Sequence, residues 1–328
     1  MSQKKAVVLG GTGLLGFATV QELVKRGYDV FSVALELPAD DLFEGLEDNV
    51  HSVIADVNEM GDEEIREKLD GVYALFYAIG ADERALPDAP ASRFFYEQNV
   101  LPTQRLARLC REAGVKKFVV YGSYFAEFAE RLPETDLIHQ PYPLTRLMQE
   151  QVAFAEGDGV MDVTSLRLPY IFGHMPGRMP LWKMFSDQMK QTEVFPVHPE
   201  GKTAAVTVKQ VAQAAVGAAE RGKHRGTYAI SEYNLPFTEF YRMFVDKMGL
   251  DTQVTEMPYE AVREQMAQLD QHAHSQGKEH GINMELAGQL RAMDLSIDPA
   301  ETKEALGYED DDVVAAIEET IEYIIDNE

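Results

Sequence analysis

The sequence predicts an α/β protein, a doubly wound parallel sheet followed by a smaller, mostly helical C-terminal lobe. Three observations carry this. The first half alternates short apolar runs with helical patterns, which implies a parallel sheet covered on both faces. A glycine-rich turn joins the first run to the first helix. From Thr238 onward the chain reads as mostly helical.

The elements follow in order. Lys5–Leu9 is a β-rich apolar run. Leu14–Arg26 repeats apolar residues at helical spacing, and Gly27 stands where a helix closes. Tyr28–Leu35 and His51–Asp56 read as strands, and Glu63–Leu69 as a helix. Val72–Ala78 is a continuous apolar run, as expected of a buried parallel strand. Pro102–Ala113 is a helix closed by Gly114, Lys117–Tyr121 a strand, Tyr142–Ala155 a helix and Val163–Arg167 a strand. Residues 173–202 are rich in Met, Pro and aromatics with little periodicity. Thr207–Ala219 is a helix and Gly226–Ile230 a short strand. Residues 1–172 with 203–230 are therefore assigned to the sheet domain, and 173–202 with 231–328 to the second lobe.

Bulk properties narrow the function. The 328 residues carry a formal charge of −25, which argues against nucleic acid and against docking on anionic membranes. No segment approaches the ~18 unbroken apolar residues of a membrane span. The first apolar run, Ala6–Leu9, is too short for a secretion signal, so a soluble, cytoplasmic protein is expected. The one cysteine, Cys110, lies in a helical stretch and reads as an inert buried thiol. His272, His274 and His280 fit no standard zinc spacing, so no metal is predicted.

The strongest signal is the segment from Val7 to Gly16, in which Gly10, Gly13 and Gly16 stand three apart between a strand and a helix. The first glycine permits the tight turn, the second lets the backbone approach a pyrophosphate, and the third lets helix and strand pack closely. The pyrophosphate then meets free amides at the helix N-terminus. This predicts a Rossmann dinucleotide site. At the tip of the second strand Ala34 occupies the position where an acid for the ribose of NAD is expected, with Glu36 two residues on, and Asp56, after the third strand, is placed for the adenine amine. No Arg or Lys is near Glu36 in sequence, and Glu36, Asp40 and Asp41 would repel a 2′-phosphate. NAD is therefore expected, with NADP left open.

Several segments in the right order complete a resemblance. They are Asp56-Val57, Asn99-Val100, Lys116 to Ser123, Pro141 to Arg146, Arg167 to Gly173, and Ala305-Leu306-Gly307-Tyr308. With the glycine loop, they make the chain similar to extended short-chain dehydrogenase/reductases of the epimerase/dehydratase type. The resemblance implies Tyr142 as acid/base, Ser123 orienting the substrate oxygen, position 146 holding the nicotinamide ribose, and Asn99 as a relay or a cap. It also sets Leu14, Leu15, Val57, Ala78, Ile79, Gly80 and Pro169, with Tyr142 and Arg146, against the cofactor. Arg146 stands where the family's motif has Lys. The implied activity is hydride transfer at a secondary alcohol or ketone, as an oxidoreductase or epimerase/dehydratase. The alternative is a dinucleotide-binding sensor with weak or no turnover, because guanidinium and ammonium are not interchangeable.

The substrate is expected to be a small molecule. Met175, Met179, Leu181, Trp182, Met184, Phe185 and Phe195 suggest an apolar or aromatic one, or else lobe packing. Arg178, Lys183 and Lys190 are the scattered candidates for a sugar-nucleotide diphosphate. By resemblance, Pro102–Ala113 and Tyr142–Ala155 would form a homodimer interface.

Overall fold

The computed structural model describes residues 3–328. Strand β1 (Lys5–Leu9) leads through the glycine turn to α1 (Leu14–Lys25), then β2 (Asp29–Ala34), β3 (Val50–Ile54), α2 (Asp62–Lys68) and β4 (Val72–Tyr77). There follow α3 (Ala91–Phe95), a π-helical turn (Tyr96–Val100), α4 (Leu101–Ala113), β5 (Lys117–Ser123), α5 (Tyr124–Arg131), α6 (Pro141–Gly157) and β6 (Asp162–Leu168). Next come β7 (Tyr170–Phe172), α7 (Lys183–Met189), β8 (Val194–Val197), β9 (Lys202–Thr207), α8 (Val208–Arg221) and β10 (Gly226–Ala229). The chain ends with β11 (Tyr233–Pro236), α9 (Phe237–Met248), β12 (Gln253–Glu256), α10 (Glu260–Ser275), α11 (Met284–Arg291), β13 (Asp294–Leu295), α12 (Ala300–Leu306) and α13 (Val313–Asp326).

The main sheet has seven strands in the order β10-β6-β5-β4-β1-β2-β3, and every pairing is parallel. The apolar runs explain this: strands buried on both faces carry apolar residues on both. One face packs on α1 and α8, through Val20, Leu23, Val211 and Ala214. The other packs on α2, α4 and α6, through Ile65, Leu106 and Ala153. Each buried Val, Leu or Ile among these contributes about 1.5–3 kcal/mol. Cys110 lies buried in this second core, and burial pushes its thiol pKa far up.

Strand order reverses between β1 and β4, and ligands bind at such a switch point, beyond the carboxyl ends of the strands. The register puts Leu9 opposite both Val33 and Tyr77. The residues that follow these three strand ends therefore meet at one edge.

The second lobe is built on a smaller sheet, β11-β9-β13 with β7 beside β9, and on a two-stranded pair, β12-β8. One predicted boundary moves. Residues 203–207 lie in β9 and pair with β7, β11 and β13, so they belong to the small sheet. The sheet domain resumes at α8, where Thr207 and Gln210 form a reciprocal capping box. Residues 173–202 hold α7 and β8, and short strands interrupt the region read as helical. Among the described residues no helix is long and apolar enough to cross a membrane.

Candidate active site

The glycine loop is shaped by what its side chains would strike. Gly10 has φ +79°, and its amide donates to the Val33 carbonyl at 2.8 Å. A Cβ on Gly10 would lie 2.6 Å from the Ala78 oxygen, and one on Gly16 only 2.0 Å from the Gly10 oxygen. Any larger residue at Gly16 would push α1 off β1. Gly13 begins α1 with no side-chain cap, so the first amides of the helix, those of Leu14 and Leu15 among them, keep no side-chain partner at the cap.

Around this loop the strand ends bring Glu36, Asp56 and Ala78–Gly80. Thr12 Oγ1 donates to the Glu36 carbonyl at 2.7 Å and so ties the loop to the end of β2. Asp56 accepts the Asn58 amide at 2.9 Å, a turn bond that leaves its second oxygen free of protein partners. The expectation that no cation lies near Glu36 is corrected. Arg178 Nη2 is 3.0 Å from Glu36 Oε1, brought across 142 residues by the second lobe. Sequence neighbours could not reveal it.

Asn99 sits fully buried in the π-helical turn. Its Oδ1 accepts the Ala81 amide at 2.8 Å and its Nδ2 donates to the Ala81 carbonyl at 3.0 Å. Both ends of the carboxamide thus hold the loop after β4. Gly80, at φ +138°, is needed there, because its Cβ would lie 2.6 Å from Asn99 Oδ1. Pro169 lies between β6 and β7, at the crossing into the second lobe.

Ser123 ends β5 and caps α5, accepting the Phe125 amide at 3.2 Å. Tyr142 occupies the first turn of α6, with its ring edge-on to Phe95 at 5.4 Å and to Phe125 at 6.2 Å. Arg146 follows one turn later on the same helix face, its guanidinium carbon 5.7 Å from the Tyr142 ring centre. Its Nη2 donates to the Tyr121 carbonyl, and its buried Nε has no partner. Burial raises the Tyr142 pKa above the ordinary tyrosine value. The Arg146 charge opposes that rise, Glu83 adds to it, and the Ser123 hydroxyl draws it down again.

A strap from the second lobe closes over this triad. The Tyr142 amide donates to the Gly281 carbonyl at 2.8 Å, and Gln140 Oε1 accepts from both Asn283 nitrogens, at 3.0 and 3.1 Å. Glu279 accepts the Ala91 amide at 2.6 Å. A Cβ on Gly281 would lie 2.7 Å from Phe95 and 3.0 Å from Tyr142.

Sequence reasoning missed four side chains at the cleft. Glu83 lies near enough to Tyr124, Tyr142, Tyr170 and Arg291 to act on each electrostatically. Burial raises its carboxyl pKa, with Asp82 adding to the rise. Tyr124 and Tyr170 stand 6.2 Å apart between ring centres. Arg291, the last residue of α11, is enclosed by protein yet open to solvent, with no hydrogen bond or ion pair from its side chain among the described residues. Burial works against its charge, but Tyr241, Tyr170, Tyr124 and Glu83 together hold its pKa up. No local pattern marks these residues, because their convergence is tertiary.

The apolar residues singled out after Gly173 divide, with Met179 and Leu181 exposed and the others wholly or partly buried. Met175, Trp182 and Phe185 are buried, and Trp182 and Phe185 pack with Phe240 in the lobe's own core. Lys183 and Lys190 pair with Glu328, and Arg178 is held at Glu36. His280 bonds Asp270 at 2.8 Å, and Asp270 also accepts the first amides of α11.

The profile described as "NAD dependent epimerase/dehydratase family" matches residues 6–231. The chain is 27% identical over 164 residues to the mouse (Mus musculus) "sterol-4-alpha-carboxylate 3-dehydrogenase, decarboxylating", covering 47% of this chain and 42% of that protein. It is 24% identical over 203 residues to a "2-alkyl-3-oxoalkanoate reductase" of Stenotrophomonas maltophilia (strain K279a), covering 57% of this chain and 56% of that one. The match thus spans about half the length of these curated relatives. Among solved structures, it resembles a UDP-N-acetylglucosamine 4-epimerase from Methanobrevibacter ruminantium M1. That likeness has a TM-score of 0.71 with 16% identity and covers 100% of both chains, a similarity of fold.

Proposed function

Because the chain belongs to the NAD dependent epimerase/dehydratase family, we propose that it is an NAD-dependent oxidoreductase or epimerase acting at a secondary alcohol or its ketone. The observation that carries this is the triad. Tyr142 lies buried between the Ser123 hydroxyl and the Arg146 guanidinium, beside the glycine-loop edge of the sheet. NAD is the family's cofactor, and two features of this chain fit it. The amides opening α1 are uncapped, and the buried Arg146 Nε lacks a partner where a ribose hydroxyl would supply one.

When bound, the nicotinamide supplies or accepts the hydride. This chain's residues handle the proton. In reduction Tyr142 donates its phenolic proton to the carbonyl oxygen, and in oxidation the tyrosinate takes it from the hydroxyl. Ser123 hydrogen-bonds the same oxygen and orients it. Arg146 stabilises tyrosinate by its charge, and Asn99 acts as a positioning residue through its grip on Ala81.

The substrate is a 3-hydroxy or 3-oxo carboxylate. Both curated relatives' names place the reacting carbon two bonds from a carboxylate carbon. Arg291, solvent-open and unpartnered in the tyrosine-lined cleft, is the group that would take one carboxylate. Of the other basic candidates, Arg178, Lys183 and Lys190 each pair with a carboxylate. Two copies would pair through α4 and α6, where Leu101 and Met148 lie exposed.

The test begins with fluorescence titration by NADH and, separately, NADPH, with NADH expected to bind. A 3-hydroxy acid is then compared with its methyl ester. Arg291→Met should raise KM for the acid about tenfold or more and leave the ester unchanged. Failure of NADH to bind would overturn the cofactor reading, and equal effects on acid and ester the carboxylate reading.

A pH dependence follows from the buried phenol. The raised pKa keeps Tyr142 protonated at neutral pH, ready to donate. Alcohol oxidation needs tyrosinate, so its kcat/KM should rise with pH through neutrality and into the alkaline range. Ketone reduction should stay level and fall only at high pH. Arg146→Met removes the main opposing charge, so both limbs should move to higher pH; profiles that superpose on wild type would contradict the role given to Arg146.

A further inference from the structure

The loop that leaves β7 does not stay in its own lobe. Met175 is buried there, bridges to Arg178, and turns the chain back towards the sheet domain. Gly177, at φ +74°, lies against the end of β2 so closely that a Cβ would come within 2.6 Å of the Pro38 oxygen. Arg178 then reaches both sides of the cofactor edge. Its Nε donates to the Thr12 carbonyl at 3.0 Å, inside the glycine loop, and its Nη2 bonds Glu36 at 3.0 Å. Thr12 and Glu36 are themselves joined through the Thr12 hydroxyl. Three segments distant in sequence, around residues 10–13, 36–38 and 175–178, thus meet at one guanidinium.

We propose that Arg178 is a cofactor-retaining residue, a latch by which the second lobe closes residues 173–181 over the adenosine half of the dinucleotide site. Glu36 stands two residues beyond the tip of β2, on the side read as the adenosine ribose wall, and the glycine loop frames the pyrophosphate, so Arg178 bridges the two walls of that half. A cofactor leaving by this edge must displace the latch. The contact is built to open. The side chains of Arg178 and Glu36 are 37% and 68% accessible, and ion pairs at such exposure are weak. Opening therefore costs the free protein little. A diphosphate at the α1 N-terminus would add attraction for the guanidinium and favour the closed form. The latch rests on the NAD reading given above.

The experiment is a stopped-flow chase of bound NADH with excess NAD, followed by fluorescence, on wild type, Arg178→Met and Arg178→Lys. Melting of the cofactor-free proteins is measured alongside. Arg178→Met should release NADH about tenfold faster or more, the effect of losing one charge-assisted hydrogen bond, with melting unchanged. Arg178→Lys keeps the charge without the two-armed fork and should fall between. If the Met variant does not fold, the Lys variant decides alone by the same criterion. Wild-type release rates in the variants overturn the latch and leave the cofactor reading intact. Absence of NADH binding to wild type overturns both.

Discussion

Tyr142→Phe should lower kcat by about 10²–10⁴-fold, the usual contribution of a positioned acid/base, and leave NADH affinity and melting nearly unchanged. The ring keeps its edge contacts with Phe95 and Phe125, so the substitution removes one oxygen and little packing. The backbone tether to Gly281 is also retained. Single-turnover measurement separates the proton step from cofactor release. A loss under tenfold, with the fold intact, would mean that another group moves the proton. Glu83 would then be the first to substitute, since its charge acts on the same phenol and its carboxyl pKa is raised by burial.

Arg167→Met should destabilise the protein by about 3–5 kcal/mol, the cost of leaving a buried charge without its partner. Arg167 on β6 holds Glu150 of α6 through two bonds, at 2.8 and 3.1 Å, and Glu127 and Glu130 of α5 at 2.8 and 2.6 Å. The side chains of Arg167 and Glu150 are 4% and 1% accessible. Without Arg167, the Glu150 carboxylate retains only the Ser165 hydroxyl, at 2.9 Å. Urea unfolding measures the loss. Adding Glu150→Met to Arg167→Met should recover most of it, because the stranded charge is gone. A double variant as unstable as the single would mean that shape, not charge, is at stake. Since α5 starts at the residue after Ser123 and α6 carries Tyr142 and Arg146, this ion cluster also fixes the distance between the candidate catalytic groups.

The parts of the site legible in the sequence are those whose geometry is local. Gly10, Gly13 and Gly16 belong to one strand, turn and helix, and Tyr142 and Arg146 share one helix face. Asn99 was legible as a position but not as a grip on Ala81, because the π-helical turn that aims it has no distinct pattern. Arg178, Glu83 and Arg291 were illegible for another reason. Arg178 and Arg291 acquire their neighbours only when the second lobe folds back, and Glu83 meets Tyr124, Tyr142 and Arg146 from distant segments of the sheet domain itself. The Met- and aromatic-rich stretch after Gly173 shows the limit of composition: it marks residues that seek burial, and Phe240 and Tyr241 bury them as well as a ligand could. β7 and β13 were missed because strands of three and two residues are too short to display alternation.

The strap at residues 279–283 has a consequence for the order in which the protein matures. Synthesis delivers β1 to β6, the glycine loop and the Tyr142 helix well before Gly281 leaves the ribosome. A nascent chain at that stage can begin to assemble its parallel strands, since domains fold as units from the N-terminus. Yet the first turn of α6 still lacks the carbonyl that receives the Tyr142 amide, and Gly281 has yet to pack against Phe95 and the base of Tyr142. Dinucleotide affinity and catalytic competence should therefore arise at different chain lengths, the first on the emerging sheet and the second only after α11 has docked.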